Sequence, residues 1–265
     1  MLALRSLLFN AVFYANLVAQ MIFWTPYYFI VPRHKAWLVP KFWVRSSIWL
    51  QERIVGTRCV FEGHENLPEG PFILAPKHQS FWDAVAFIPD MRDPVIILKR
   101  SLIRIPVFGW YLAKMRMIPV DRGRGRQALR DVTRRARAEM VHDRQLLMFP
   151  EGTRRAPGEE PLYKWGIAEL YDQLKLPVVP VAHAAGLFWP RRKLMRYPGT
   201  LRARYLPAIP PGLSKETFME RLIAETEAGC DRALAEAAAS PNPPPLPPSA
   251  VKRLAELGVA ERDGE

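Results

Sequence analysis

From Ser6 to Ile30 the chain carries no formally charged residue. A helix over these 25 residues, rising about 1.5 Å per residue, covers the roughly 30 Å hydrocarbon core of a bilayer. Asn10, Asn16, Gln20 and Pro26 interrupt it as a simple span. Bulky aromatics rather than small residues close it, which excludes a cleaved signal peptide. The stretch that follows, to Gly56, mixes Trp37, Phe42, Trp43 and Trp49 with Arg33, Lys35, Lys41 and Arg45, a blend suited to the headgroup level of a membrane. Either Ser6–Ile30 spans, with Arg33 and Lys35 on the cytoplasmic side, or both segments form a hairpin dipped into one leaflet. A buried core helix fits poorly, because so long an uncharged run is rare in a domain of this size.

Beyond Gly56 the texture changes to short apolar runs separated by helical stretches. Strands are expected at 58–62, 72–76, 95–98, 117–120, 145–149, 178–182 and 200–206, with helices at 81–88, 107–114, 126–142 and 165–174. This alternation predicts an α/β fold: a largely parallel central sheet flanked by helices, preceded by an N-terminal membrane-associated helical hairpin. Three regions follow: N-terminal helices over 1–56, the α/β domain over 57–239, and a Pro-rich linker and C-terminal tail over 240–265. Six prolines in Pro241–Pro248 predict a stiff linker or disordered segment, with a short helix at 249–257 and a loose tail. With 49% hydrophobic and 24% charged residues, the 265-residue chain buries a core and is not wholly disordered. Two distant cysteines form no disulfide framework, consistent with a reducing cytoplasmic context. The net charge of +12 points to an anionic partner: nucleic acid, an anionic membrane or a phosphorylated substrate.

In a parallel sheet, sites gather at the carboxyl ends of strands. The run P-F-I-L-A-P-K-H-Q-S-F-W-D places His78 just after a strand and Asp83 just inside a helix. Were both helical, five steps of 100° would set them ~140° apart. With His78 in the turn they can meet. Asp83 would then bind one ring nitrogen and leave the other as a base for a substrate hydroxyl. A capping loop histidine beside a solvated Asp is the bland alternative. In Q-L-L-M-F-P-E-G-T-R-R, Pro150 and Gly152 force a turn from which Glu151, Thr153 and Arg154 project; Gly152 permits positive φ, and Arg154 offers a fork for phosphate oxygens. Lys99 and Arg122 end two further strands. A base beside several cations describes a site for an alcohol that bears a phosphate.

These segments resemble the 1-acyl-sn-glycerol-3-phosphate (lysophosphatidic acid) acyltransferases over about Leu67–Leu206. The blocks are H-x4-D at His78–Asp83; Lys99 with I-P-V-F-G-W at Ile105–Trp110 and P-V-D-R at Pro119–Arg122; F-P-E-G-T-R at Phe149–Arg154; and V-V-P-V at Val178–Val181 followed by Gly186. The resemblance implies transfer of an acyl group from acyl-CoA or acyl carrier protein to the sn-2 hydroxyl of lysophosphatidic acid. Phosphatidic acid forms by direct attack, with His78 as general base and Asp83 as its orienter. It also implies substrate binding by Glu151, Gly152, Thr153 and Arg154, with Lys99 and Arg122 as helpers, and no metal or cofactor beyond the thioester co-substrate. The partners implied are membrane lipids, the lysolipid and the donor, without nucleic acid. The active site would lie on the cytoplasmic face of the membrane, the inner membrane in a bacterium. A two-helix membrane element is known in the family and favours the one-leaflet hairpin. The chain departs from many relatives in reading A-H-A-A-G over Ala182–Gly186. Its oligomeric state is not encoded in any of these motifs.

The rival readings are another lysolipid as acceptor, such as a lyso-ornithine lipid or lysophospholipid, and a non-catalytic basic membrane-binding protein. His183, at a strand end, is the only rival base. Gly123–Ala128 fits G-x-G-x-x-A, but mid-sheet and with arginines at its variable positions. Arg130, Arg134 and Arg137 are expected on the outer face of the helix that follows. No G-x-S-x-G, H-E-x-x-H, C-x-x-C or Walker A sequence is present.

Overall fold

The computed structural model describes residues 1–121 and 125–259. Helix α1 (Leu2–Ile30) is followed by α2 (Arg33–Ala36) and α3 (Leu38–Leu50), then a π-helical turn over Gln51–Val55. The remaining elements are β1 (Thr57–Glu62), β2 (Ile73–Pro76), α4 (Asp83–Ala86), β3 (Pro94–Lys99), α5 (Phe108–Lys114), β4 (Ile118–Val120), α6 (Gly125–Met140), β5 (Gln145–Leu147), α7 (Gly166–Leu174), β6 (Val178–His183), α8 (Ala185–Phe188), β7 (Gly199–Tyr205), α9 (Lys215–Ala238) and α10 (Pro248–Glu256).

The seven strands form one sheet in the order β1-β7-β6-β2-β5-β3-β4. Every pairing is parallel except β6 with β7, so the expected largely parallel α/β architecture is observed. Strand β6 is buried at all six positions, as a parallel strand covered on both faces must be. The two-residue period splits each strand between two apolar layers: Ile73 and Ala75 of β2 face one, and Leu74 faces the other. α6, α7 and the first half of α9 cover the first layer; α4, α8, α10 and the N-terminal part of α1 cover the second. Ser214 caps α9, its Oγ accepting from the Thr217 amide at 3.1 Å. The helix expected over 81–88 is shorter: α4 has four residues and gives way to a 3₁₀ turn containing Pro89.

α1 pairs with α3, and its polar residues are matched there. Asn16 Nδ2 donates to Ser46 Oγ at 3.0 Å, and Gln20 Nε2 donates to Asn16 Oδ1 at 2.8 Å and Ser46 Oγ at 3.0 Å. The residues that break the apolar run therefore point into the hairpin rather than to lipid. α1 is long and apolar enough to cross a membrane, but it is tied to the α/β domain near both ends. Near its start Ser6 Oγ donates to the Arg196 carbonyl at 3.1 Å, and Phe9 and Phe13 pack edge-on to Trp189. Near its end Tyr28 stacks on Tyr111 at 4.1 Å. Only 28% of its most apolar stretch is buried, leaving Leu4, Leu7, Leu8, Val18, Ile22 and Phe23 outward. Arg33 and Trp37, read from the sequence as headgroup-level residues, instead both bind Asp93, Arg33 Nη1 at 2.6 Å from Oδ1 and Trp37 Nε1 at 2.8 Å.

The short helix expected at 249–257 is observed as α10, and residues 260–265 of the tail read as loose lie outside the described residues. Pro247 keeps an extended polyproline-like backbone (φ −68°, ψ 157°), but α10 after it is seated on the domain. Ala250 and Leu254, one helical turn apart, are buried together, and Arg253 grips Asp231 through Nε at 2.9 Å and Nη2 at 2.6 Å. At Gly158 an added Cβ would lie 2.5 Å from the Ser249 carbonyl oxygen, so only glycine permits this close approach.

Candidate active site

Because β3, β5, β2 and β6 run parallel, their carboxyl ends share one edge of the sheet. His78 lies in the turn after β2 and Asp83 opens α4, so the two meet. His78 Nδ1 donates to Asp83 Oδ1 at 2.7 Å, while Asp83 Oδ2 accepts from the backbone amides of Gln79 at 2.7 Å and Ser80 at 2.6 Å. The carboxylate is fully buried and has both oxygens engaged, which fixes the imidazole tautomer and leaves Nε2 as an acceptor without a protein partner among the described residues. The ring stacks on Phe149 at 4.0 Å and keeps 15% of its side-chain surface exposed.

The turn after β5 brings the third block alongside. Gly152 has φ +64°, the left-handed region that favours glycine, and the Arg155 amide donates to the His78 carbonyl at 2.9 Å. Thr153 is half-buried in this turn. Glu151 faces inward: Lys77 Nζ binds its Oε1 at 3.0 Å and Glu227 Oε1 at 2.7 Å, and Tyr163 Oη donates to Glu227 at 2.7 Å. Burial opposes the Lys77 charge, but Glu227 and Glu151 outweigh it and raise its pKa above the ordinary lysine value. Glu151 thus meets a buried lysine rather than an open cleft, and its geometry assigns it to holding the His78 and Arg154 turns together. Arg154 is half-buried and makes no side-chain bond within the described residues. Burial, then the charges of Arg191 and Arg192, lower its pKa, against the opposing pull of Asp83.

Lys99 is exposed at the end of β3, two strands from β2 and so roughly 10 Å across the sheet at ~4.8 Å per strand. Arg122 and most of the Gly123-x-Gly125 turn lie outside the described residues. α6 begins at Gly125 and turns Arg130, Arg134 and Arg137 to solvent, as expected. Among the described residues no group of three His, Cys, Asp or Glu is placed to hold a metal ion. Both thiols, Cys59 and Cys230, are pushed up to about 12 by burial. The sequence did not single out Lys77, Glu227 or Arg191. Lys77 adjoins His78, but its partner Glu227 is remote in sequence and no local pattern links them.

His183, the rival base, is fully buried with both nitrogens occupied: Nε2 donates to the Lys77 carbonyl at 2.9 Å and Nδ1 accepts from the Ala185 amide at 3.2 Å. It cannot reach a substrate. Burial, partly offset by Asp83, lowers its pKa below the ordinary 6.5. Below pH 6.5 the unfolded chain takes up a proton that the folded chain refuses. Stability contributed here is therefore present above that pH and is lost as pH falls, at up to about 1.4 kcal/mol per pH unit. His183→Gln is expected to flatten the melting-temperature profile between pH 6.5 and 5; an unchanged slope contradicts this.

The fourth block meets the first through Gln79, whose Oε1 accepts from the Gly186 amide at 3.1 Å, and Ser80 Oγ donates to the Trp189 carbonyl at 2.8 Å. Residues 58–184, which carry the His78–Asp83 pair and the third block, match the Acyltransferase family model. A 1-acyl-sn-glycerol-3-phosphate acyltransferase of Pseudomonas aeruginosa is 34% identical over 91% of this chain and 93% of its own length. One of Saccharomyces cerevisiae is 29% identical over 52% and 48% of the two chains. The crystal structure of the 1-acyl-sn-glycerophosphate acyltransferase PlsC of Thermotoga maritima superposes with a TM-score of 0.71, covering 88% of this chain and 98% of that one at 21% identity, which establishes a shared fold. With the His–Asp pair seated at the strand ends and the Pseudomonas aeruginosa relative matched over almost its full length, the chain is an acyltransferase and belongs to the 1-acyl-sn-glycerol-3-phosphate acyltransferase family.

Proposed function

We propose that this enzyme moves a fatty acyl group from acyl-CoA or acyl carrier protein to the sn-2 hydroxyl of lysophosphatidic acid, giving phosphatidic acid. The observation that carries the reading is the His78–Asp83 pair, whose Nε2 has no partner among the described residues, placed beside the half-buried Arg154, whose side chain likewise has none among them. His78 Nε2 takes the hydroxyl proton as the oxygen attacks the thioester carbonyl. The tetrahedral intermediate then collapses with cleavage of the C–S bond, and the imidazolium returns the proton to the thiolate. Asp83 holds the ring and stabilises its cationic form. Arg154 takes the acceptor phosphate, Lys99 and Arg122 assist, and Gly152 and Thr153 shape the turn that receives it. The reaction so written needs no cofactor beyond the thioester.

The acceptor is membrane-borne, and the apolar surface beside the site suits it. Phe81 packs against Phe13, Tyr111 of α5 packs against Tyr28, and Trp110 on the same helix is 62% exposed. Together with the outward face of α1 they form one rim. α1 spans roughly 44 Å but stays bound to the α/β domain at both ends, which favours a hairpin lying in one leaflet with the site on the cytoplasmic side.

Membranes containing the enzyme, given lysophosphatidic acid with each thioester in turn, are expected to form phosphatidic acid, read by mass. Parallel reactions with lysophosphatidylglycerol and a lyso-ornithine lipid are expected to be slower. Faster acylation of either would transfer the assignment to that acceptor.

A further inference from the structure

After α8 the chain continues Trp189-Pro190-Arg191-Arg192-Lys193-Leu194, and residues 191–194 are exposed. Arg191 Nη1 donates to the Arg154 carbonyl at 2.7 Å, tying this loop to the third block. The loop is also tied to α1. Asn10 Nδ2 donates to the Leu194 carbonyl at 2.8 Å, Ser6 Oγ accepts from the Arg196 amide at 3.0 Å, and the Arg196 guanidinium lies over Trp189 at 4.4 Å. Arg192 is held at φ +58°, a conformation rare for a residue with a side chain, so the surrounding structure dictates its backbone.

The charges here are unbalanced. Several buried or half-buried cations in this protein have carboxylates: Arg144 has Asp93 and Glu139, Arg204 has Glu62 and Glu236, and Lys77 has Glu151 and Glu227, while Arg196 is held by backbone carbonyls. Arg154, Arg191 and Arg192 lie within reach of one another's charge, yet among the described residues none pairs with a carboxylate. Two exposed like charges set beside the half-buried Arg154 are unfavourable there unless an anion completes the group. The location, between the His78–Asp83 pair and the membrane helix, is where the headgroup of a lysolipid lying along α1 would arrive.

We propose that Arg191 and Arg192 complete the phosphate site with Arg154 and select a phosphomonoester dianion over a phosphodiester. A phosphomonoester carries close to two negative charges at neutral pH because its second pKa is about 6, whereas a phosphodiester carries one. Arg154 alone suffices for either; two further guanidinium groups reward the second charge. This deepens the reading above and rests on it: lysophosphatidic acid is the monoester, and lysolipids with an alcohol esterified to the phosphate are not. The ribose 3′-phosphate of a CoA donor shares the monoester chemistry. The ties to α1 and the proximity to the base assign the site to the acceptor.

The test is steady-state kinetics of the full chain, comparing wild type with Arg191→Gln, Arg191→Lys and Arg192→Gln. Each enzyme is titrated separately with lysophosphatidic acid, lysophosphatidylglycerol and the thioester. Losing one charge-assisted bond is expected to raise KM for lysophosphatidic acid about tenfold or more. Little change in kcat is expected, with a much smaller effect on lysophosphatidylglycerol and none on KM for the thioester. Arg191→Lys should recover part of the loss. Arg192 makes no side-chain bond among the described residues, so its replacement reads the charge without unseating the loop. An equal loss with both lysolipids would reduce Arg191 to a prop for the Arg154 turn and overturn the proposal. A rise confined to KM for the thioester, or no change in either glutamine variant, overturns it as well. If wild type acylates lysophosphatidylglycerol but not lysophosphatidic acid, the acceptor assignment itself fails and takes this proposal with it. If wild type acylates lysophosphatidic acid while the variants match it, only the proposal fails.

Discussion

His78→Ala is expected to lower kcat for phosphatidate formation by about 10²–10⁴-fold while KM for lysophosphatidic acid stays near the wild-type value. The range is that of a lost general base, and the KM expectation follows because His78 touches the reacting hydroxyl rather than the phosphate. Removing the ring also removes its stacking on Phe149, so the comparison requires a folded variant with an unchanged melting profile. Asp83→Asn is a poorer probe of the same pair. Asp83 Oδ2 accepts two backbone amides at 2.7 and 2.6 Å, and an amide nitrogen turned toward them would break the turn itself. A loss in Asp83→Asn therefore mixes chemistry with structure, whereas His78→Ala separates them. Near-wild-type kcat in His78→Ala would remove His78 as the base.

The second large effect is on stability. Lys77→Met is expected to cost about 3–5 kcal/mol, or roughly 10 °C in melting temperature, because it strands two buried carboxylates. Lys77 has 3% of its side chain exposed, and its partners Glu151 and Glu227 have 0% and 20%. Besides Lys77, Glu151 has only the Leu162 amide at 3.4 Å and the Arg155 guanidinium at 3.9 Å from Oε1, and its Oε2 has no partner among the described residues. The triple variant Lys77→Met, Glu151→Gln, Glu227→Gln should regain most of the loss, since it removes the charges together rather than orphaning them. A single Lys77→Met variant within about 1 kcal/mol of wild type would contradict the view that this network carries uncompensated charge when broken.

The fold was legible where physical signals are local. All seven strands appear within a few residues of their apolar runs, because a strand buried on both faces must be continuously apolar. The uncharged run over Ser6–Ile30 also gave the helix, though not its seating: Asn16 and Gln20 read as defects in a span until Ser46 of α3 supplied their partners. His78 and Asp83 were legible because the strand–turn–helix pattern brings them together within six residues of chain. Lys77–Glu227 and Arg191–Arg154 were not, since each joins elements far apart in sequence that only the packed sheet edge brings into contact. The antiparallel return of β7 and the docking of α10 through Ala250 and Leu254 belong to the same class. No periodicity within a segment specifies the direction of a neighbour or the surface on which a short helix lands. Glu151 shows the converse. Its place in the third block marked it for substrate, while burial against Lys77 turns it inward.

The central claim, direct acyl transfer by a His78 base, is tested most directly by following thiol release in a rapid-mixing experiment with and without lysophosphatidic acid. The account predicts that no thiol appears when the enzyme meets the thioester alone. With lysophosphatidic acid present, one thiol should appear per phosphatidic acid formed, at a rate that collapses in His78→Ala. A burst of thiol equal to the enzyme concentration in the absence of acceptor would signal an acyl-enzyme and contradict the account.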